Sequence, residues 1–225
     1  MKITCTLAAT AALAAFGLPA RAEVYNAIPY LSFADSPLAA IAFSSFYLEN
    51  FEDHVFNVPG VTADSGQVSS TVLAAGERDS VDADDGLIDG RGVGDSYTRR
   101  EGPVGIRFSF DAAVLGALPT HVGLVWTDGA PFSAMGYKVY DASGAMYYGA
   151  TYYLESDGFT NGQTAEDRFF GAHLAGGISA IWIYADAGTL EVDHLQYGIS
   201  AVPEPAPAAL LAAGLGFIGW RMRRS

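Results

Sequence analysis

Val104-Gly105-Ile106-Arg107-Phe108-Ser109-Phe110 is the stretch whose reading decides the fold. Apolar residues occupy every second position, with glycine, arginine and serine between them, the period of a strand buried on one face. Val122, Leu124 and Trp126 repeat the pattern and end at the turn pair Asp128-Gly129. Residues 137–140 form a further run, closed by Asp141-Ala142-Ser143-Gly144, and the tyrosine-rich 145–154 resumes after it, so the two predict a hairpin. Ile178–Ala185 reads as a strongly apolar strand and 190–197 as the last one. Helix is allowed only briefly at 112–118, limited by Gly116 and Pro119. Short strands with turn signals between them, and no internal repeat, predict a mainly β fold. The expected architecture is a single β-sandwich of jelly-roll-like form over residues 23–200.

Two strands break their own alternation, and both breaks fall on acidic residues. In 46–53 the apolar phase moves from Phe46 and Leu48 to Phe51; in 190–197 it moves from Leu190 and Val192 to Leu195 and Tyr197. A one-residue slip turns side chains to the other face unless a bulge absorbs it. The residues re-aimed would be Glu49, Glu52, Asp53, Asp193 or His194.

Both ends of the chain read as addresses. Lys2 gives a positive start, 7–18 an apolar core, and Ala20-Arg21-Ala22 an A-x-A-like cleavage site before Glu23, together a secretory signal peptide over 1–22. At the other end, Val202-Pro203-Glu204-Pro205 leads into an uncharged apolar stretch, 206–220, followed by Arg221, Arg223 and Arg224. Those arginines cost too much in hydrocarbon and stay cytoplasmic, while 206–220 is a marginal transmembrane segment, since a full span takes about 20 residues. In order and position, residues 201–225 resemble the PEP-CTERM protein-sorting signal of Gram-negative bacteria. The resemblance implies export, a transient inner-membrane anchor through a C-terminal hydrophobic helix, and processing by the membrane protease-transferase exosortase. The destination it implies is the cell surface or extracellular matrix.

Cys5 is the single cysteine and lies in the signal, so the mature chain has no disulfide and no thiolate metal site. Of 12 basic and 25 acidic residues, Lys2, Arg21, Arg221, Arg223, Arg224 and Glu204 lie in the terminal segments. What remains is 7 basic against 24 acidic, or −17 with histidines neutral. That balance argues against nucleic acid and anionic membrane surfaces and favours hard divalent cations wherever carboxylates converge.

The densest convergence is Asp79, Asp82, Asp84, Asp85 and Asp89, interrupted by Gly86 and followed by Gly90, Gly92 and Gly94. Calcium suits such a loop because it takes six to eight oxygen ligands in flexible geometry. The match to an EF-hand is imperfect, for the glycine falls at the wrong step and no terminal glutamate follows. The elements at 51–53, 79–90, 125–129 and 191–198 resemble a recurrent exported PEP-CTERM domain, a presumed β-sandwich. The first and last are similar, more loosely, to carbohydrate-binding jelly rolls in which acids of the first and last strands grip a structural calcium. Glu49, Glu52 and Asp193 are the counterparts that this likeness implies.

Catalytic motifs are absent from the sequence: there is no H-E-x-x-H, no G-x-S-x-G and no mature cysteine nucleophile. Gly90-Arg91-Gly92-Val93-Gly94 follows an acidic loop, not a buried strand, and is no dinucleotide fingerprint. His54, His121, His173 and His194 show no ligand spacing and read as surface or hydrogen-bonded structural residues. Tyr147 with Tyr148, and Tyr152 with Tyr153, point to opposite strand faces, so one of each pair is open to stack on a sugar ring; Trp126 and Trp182 read as core. The sequence therefore predicts a non-enzymatic exported module, calcium-stabilised, structural or glycan-adhesive, with extracellular polysaccharide as a partner. A polysaccharide hydrolase or lyase on the same fold is the competing expectation, because paired carboxylates are a spatial feature.

Overall fold

A computed structural model describes residues 22–70, 79–99, 104–129, 134–153, 162–201 and 207–224. The predicted cleavage residue Ala20 and the motif Val202, Pro203, Glu204 and Pro205 lie outside the described residues. Arg21–Ala201 is one compact unit. Its strands are β1 (Glu23–Pro29), β2 (Phe43–Glu49), β3 (Val61–Ala63), β4 (Gln67–Ser70), β5 (Asp95–Arg99), β6 (Val104–Phe110) and β7 (His121–Gly129). They continue as β8 (Met135–Asp141), β9 (Met146–Tyr152), β10 (Arg168–His173), β11 (Ile178–Ala185) and β12 (Leu190–Ser200).

Two antiparallel sheets result. One runs β1-β10-β7-β12-β5-β4, with β2 also paired to β12; the other runs β3-β6-β11-β8-β9. Alternation explains why they face each other. Ile106, Phe108 and Phe110 of β6, with Ile181 and Ile183 of β11, meet Leu124 and Trp126 of β7, Phe170 of β10 and Val192 of β12 in one core. Each fully buried large apolar side chain contributes about 1.5–3 kcal/mol, and this layer takes the place of any disulfide. The protein is a β-sandwich.

The predicted β8–β9 hairpin forms, its turn held by Asp141, whose Oδ1 accepts from the backbone N–H of Ser143 and Ala145. The predicted helix is a single turn, α1 (Ala112–Leu115), capped by Asp111 and ended where Gly116 turns left-handed at φ 84°. In the tail unit, α2 (Pro207–Met222) forms across the apolar stretch, 16 residues long. Among the described residues, no helix is long and apolar enough to cross a membrane. At 1.5 Å per residue α2 reaches about 24 Å, so the spanning role expected of 206–220 has no support in the helix itself. Arg221, Arg223 and Arg224 are exposed.

Strand β12 is where the sheet changes partner. Residues 190–192 pair with β5, whereas 195–200 pair with β2. Between them, Asp193 aligns with Val125 and Gln196 with Gly123 on β7, so β12 spends one more residue than β7 does. This is the bulge that the phase break predicted, with His194 at φ 44°. The other break is no bulge: β2 stops at Glu49, and the chain turns through Phe51 at φ 60°.

Candidate metal centre

Residues 79–94 occupy the gap beside that bulge. Glu191 and Asp193 are two apart on β12 and share the face opposite the core residues Leu190 and Val192. The Asp79 N–H donates to Glu191 Oε2 and the Val81 N–H to Asp193 Oδ2, both at 3.0 Å; the Thr127 hydroxyl donates to the Asp79 carbonyl. Val81 is thereby held in a small second core with Tyr25, Tyr30, Leu38, Val125 and Phe169. The chain then makes a 3-10 turn, Asp82–Asp85, closed by left-handed Gly86. Asp82 holds the return: its carboxylate accepts from the N–H groups of Asp89 and Gly90 and from the Thr164 hydroxyl. Gly92 and Gly94 allow the loop to press inward, since a Cβ there would strike Asp79 and Ser80, or Glu52 and Ser80.

Carboxylates from three chain segments therefore meet away from solvent. Asp79, Asp82, Glu166, Asp167, Glu191 and Asp193 are all buried, and the Asp84 side chain is 5% exposed. Ligating atoms of Asp84, Asp193 and His194 lie within 4.8 Å of one another. Burial drives the Asp193 carboxyl well above the usual range, and neighbouring Asp84 pushes the same way. Glu52 is pushed up to about 7, mainly by burial; the Asp95 N–H works against the shift, and the Asp84 charge adds to it.

His194 is oriented by a chain of hydrogen bonds. Ser36 Oγ donates to Gln196 Oε1 and Gln196 Nε2 to Tyr30 Oη. Tyr30 Oη meets His194 Nδ1 at 2.7 Å, and His194 Nε2 meets Asp84 Oδ1 at 2.9 Å. With one ring nitrogen against Tyr30 Oη and the other against Asp84 Oδ1, His194 ties Asp84 to the second core and fixes it in place.

Asp167 is the decisive residue. It is fully buried, and neither of its carboxylate oxygens has a hydrogen-bond partner. Burial, then the negative charges of Asp79, Glu166, Asp193 and Asp82, push its carboxyl well up. An uncompensated buried carboxylate costs several kcal/mol, so such a group takes a proton or a cation. The donor set is all oxygen, which fits a hard divalent ion.

Of the residues expected to bind metal, the structure brings Asp79, Asp82, Asp84 and Asp193 together and leaves Glu52 at the margin, its Oε1 accepting from the Asp95 N–H. It removes three. Asp85 and Asp89 are exposed, Asp85 capping the Leu87 N–H. Glu49 is buried, but its two oxygens accept from the N–H groups of Phe51 and Asn57, closing the end of β2. Asp167, Glu166 and Glu191 were not expected. The first two sit in the turn before β10, a strand that pattern reading passes over.

The tyrosines divide as their spacing requires. Tyr148 and Tyr152 turn inward against the core, and their hydroxyls join that of Tyr137 on Asn26 Oδ1; neither is a free stacking face. Tyr147 and Tyr153 are exposed. Trp126 is core as expected, but Trp182 is half-buried on the outer side of its sheet, because β11 places Ile181 and Ile183 inward.

No family model matches the sequence, and no curated protein does. Among solved structures, the chain is similar to the K1 cleaved adhesin domain of Lys-gingipain from Porphyromonas gingivalis W83. Identity is 12%, covering 70% of this chain and 100% of that one, with a TM-score of 0.43. That likeness is too loose to bear on fold or site.

Proposed function

We propose that this chain is an exported, non-enzymatic β-sandwich of jelly-roll-like form, completed by a structural divalent cation, calcium by its chemistry, and serving at the cell surface or in the extracellular matrix. The observation that carries the cation is Asp167, fully buried among acids with both oxygens unpartnered. Asp84 and Asp193 are the further ligands, with Asp79 and Asp82 beside them. The jelly-roll reading is supported by the way consecutive strands from β5 onward cross between the sheets, the β8–β9 hairpin excepted.

Export and exosortase processing rest on the signal-like N-terminus and on the order of Pro203-Glu204-Pro205, apolar stretch and arginines. Recovery of the mature protein outside the cell with residues 203–225 intact would remove the sorting assignment. The non-enzymatic reading is supported by the missing catalytic motifs. Polysaccharide cleavage abolished by mutating one acid pair would overturn it.

Thermal unfolding with calcium and with chelator tests the cation. A ligand bound only by the folded state stabilises it by about 2.7 kcal/mol at a hundredfold excess over Kd. For a domain of this size that raises Tm by about 5–10 °C. An unchanged midpoint at millimolar calcium would exclude the ion.

A further inference from the structure

The outer face of the five-stranded sheet is tiled with aromatic rings and cations. Register places Arg107, Trp182 and Lys138 side by side on β6, β11 and β8, and Gly105, Tyr184 and Gly136 in the next row. The glycines shape the surface: the Trp182 indole lies over Gly105 and the Tyr184 ring over Gly136, each where a Cβ would clash. The rings thus lie low on the sheet, with centroids 4.8 Å apart and planes 32° from parallel. Lys138 Nζ stands 4.6 Å from the Trp182 ring centre and 5.1 Å from that of Tyr184. Arg107 reaches past small Ala180 to lie 4.0 Å over the Tyr140 ring. Thr151 and Tyr184 hydroxyls meet at 3.1 Å and edge the platform.

Charge says what such a face takes. Lys138 is the only lysine besides Lys2, and residues 23–202 carry 7 basic against 24 acidic residues. Two of those seven cations stand on this face, beside rings that hold them by cation–π attraction. An aromatic face packs against the C–H side of a pyranose ring, and the ammonium or guanidinium pairs with a carboxylate carried by the sugar. A neutral glucan would leave both cations unused, and a nucleic acid would be repelled by the rest of the molecule.

We propose that this face binds an acidic polysaccharide, a chain of uronate sugars, with Trp182 and Tyr184 as stacking rings and Lys138 and Arg107 as carboxylate partners. This names a ligand class and a binding surface for the cell-surface or matrix role above, and it rests on that reading without depending on the cation site.

Affinity electrophoresis of the full-length protein through gels containing polygalacturonate, or neutral dextran, tests it in the presence of chelator, which removes calcium bridging. Polygalacturonate retards the protein and dextran does not; Trp182→Ala and Lys138→Glu each weaken retardation at least tenfold with Tm unchanged. Asp167→Asn abolishes the calcium shift but leaves retardation intact, which separates failure of this proposal from failure of the cation site. Equal retardation of the two platform variants and the parent, equal retardation by dextran, or none by polygalacturonate overturns the proposal. So does concentration-dependent dimerisation lost in Trp182→Ala, which would assign the face to a second copy.

Discussion

At Asp167 two requirements of the fold collide. Its backbone is needed, since its carbonyl accepts from the Tyr30 N–H and its N–H donates to the Thr164 carbonyl. Its side chain is left facing acids. Asp167→Asn keeps the shape and removes the charge, so near pH 8 in chelator it stabilises the protein by about 1–2 kcal/mol, through relief of repulsion. In calcium the same variant loses most of the stabilisation the ion gives the parent. Paired melts show both signs at once, whereas a purely structural Asp167 would show destabilisation in both conditions. His121 is the independent titrating site. It stacks on His173 at 4.1 Å, and burial, helped by that neighbour, lowers its pKa to about 4. The unfolded chain binds the proton first, so His121 stability is complete above about pH 6.5 and is lost as pH falls towards about 4. The loss is about 2–3 kcal/mol, and His121→Gln flattens that part of a Tm-versus-pH curve.

Among the elements, the 79–94 loop depends on one carboxylate for its closure. Asp82→Ala frees the N–H groups of Asp89 and Gly90 and the Thr164 hydroxyl together, at a cost of about 2–4 kcal/mol. Hydrogen exchange should quicken at 89 and 90 well before β12 is affected; unchanged protection there would show that Asp82 is not what closes the loop. The strands were legible because period-two alternation over 104–110 and the apolar run of 178–185 are local signals. The β12 bulge was legible too, since an extra residue must shift the phase. Strand β10 was not: Arg168-Phe169-Phe170-Gly171-Ala172-His173 buries Phe170 and Ala172 in the core and Phe169 in the second cluster, so its pattern never alternates. Two acids of the site went with it, for Glu166 and Asp167 are acids only of a turn until the fold brings them to Asp79. Asp85 and Asp89 stand exposed, apart from the buried acids, because crowding in sequence says nothing of which side chains a loop sends inward.

For the whole molecule, the seven-stranded sheet has a seam. Strands β2 and β5 both lie along β12, one beyond the other, and the acid cluster fills the place where they part. Closing that seam brings the carboxylates together, and their mutual repulsion opposes it. Order of events therefore matters as much as final stability. On the proposed calcium role, that step is slowed by the protein's own charge in chelator and eased once the ion is supplied. Refolding from denaturant should then be several-fold faster in millimolar calcium than in chelator; equal rates in both would show that the seam closes before the ion enters. Under that proposal the burden of buried charge acts as a clock, one that holds back closure of the seam until the ion arrives.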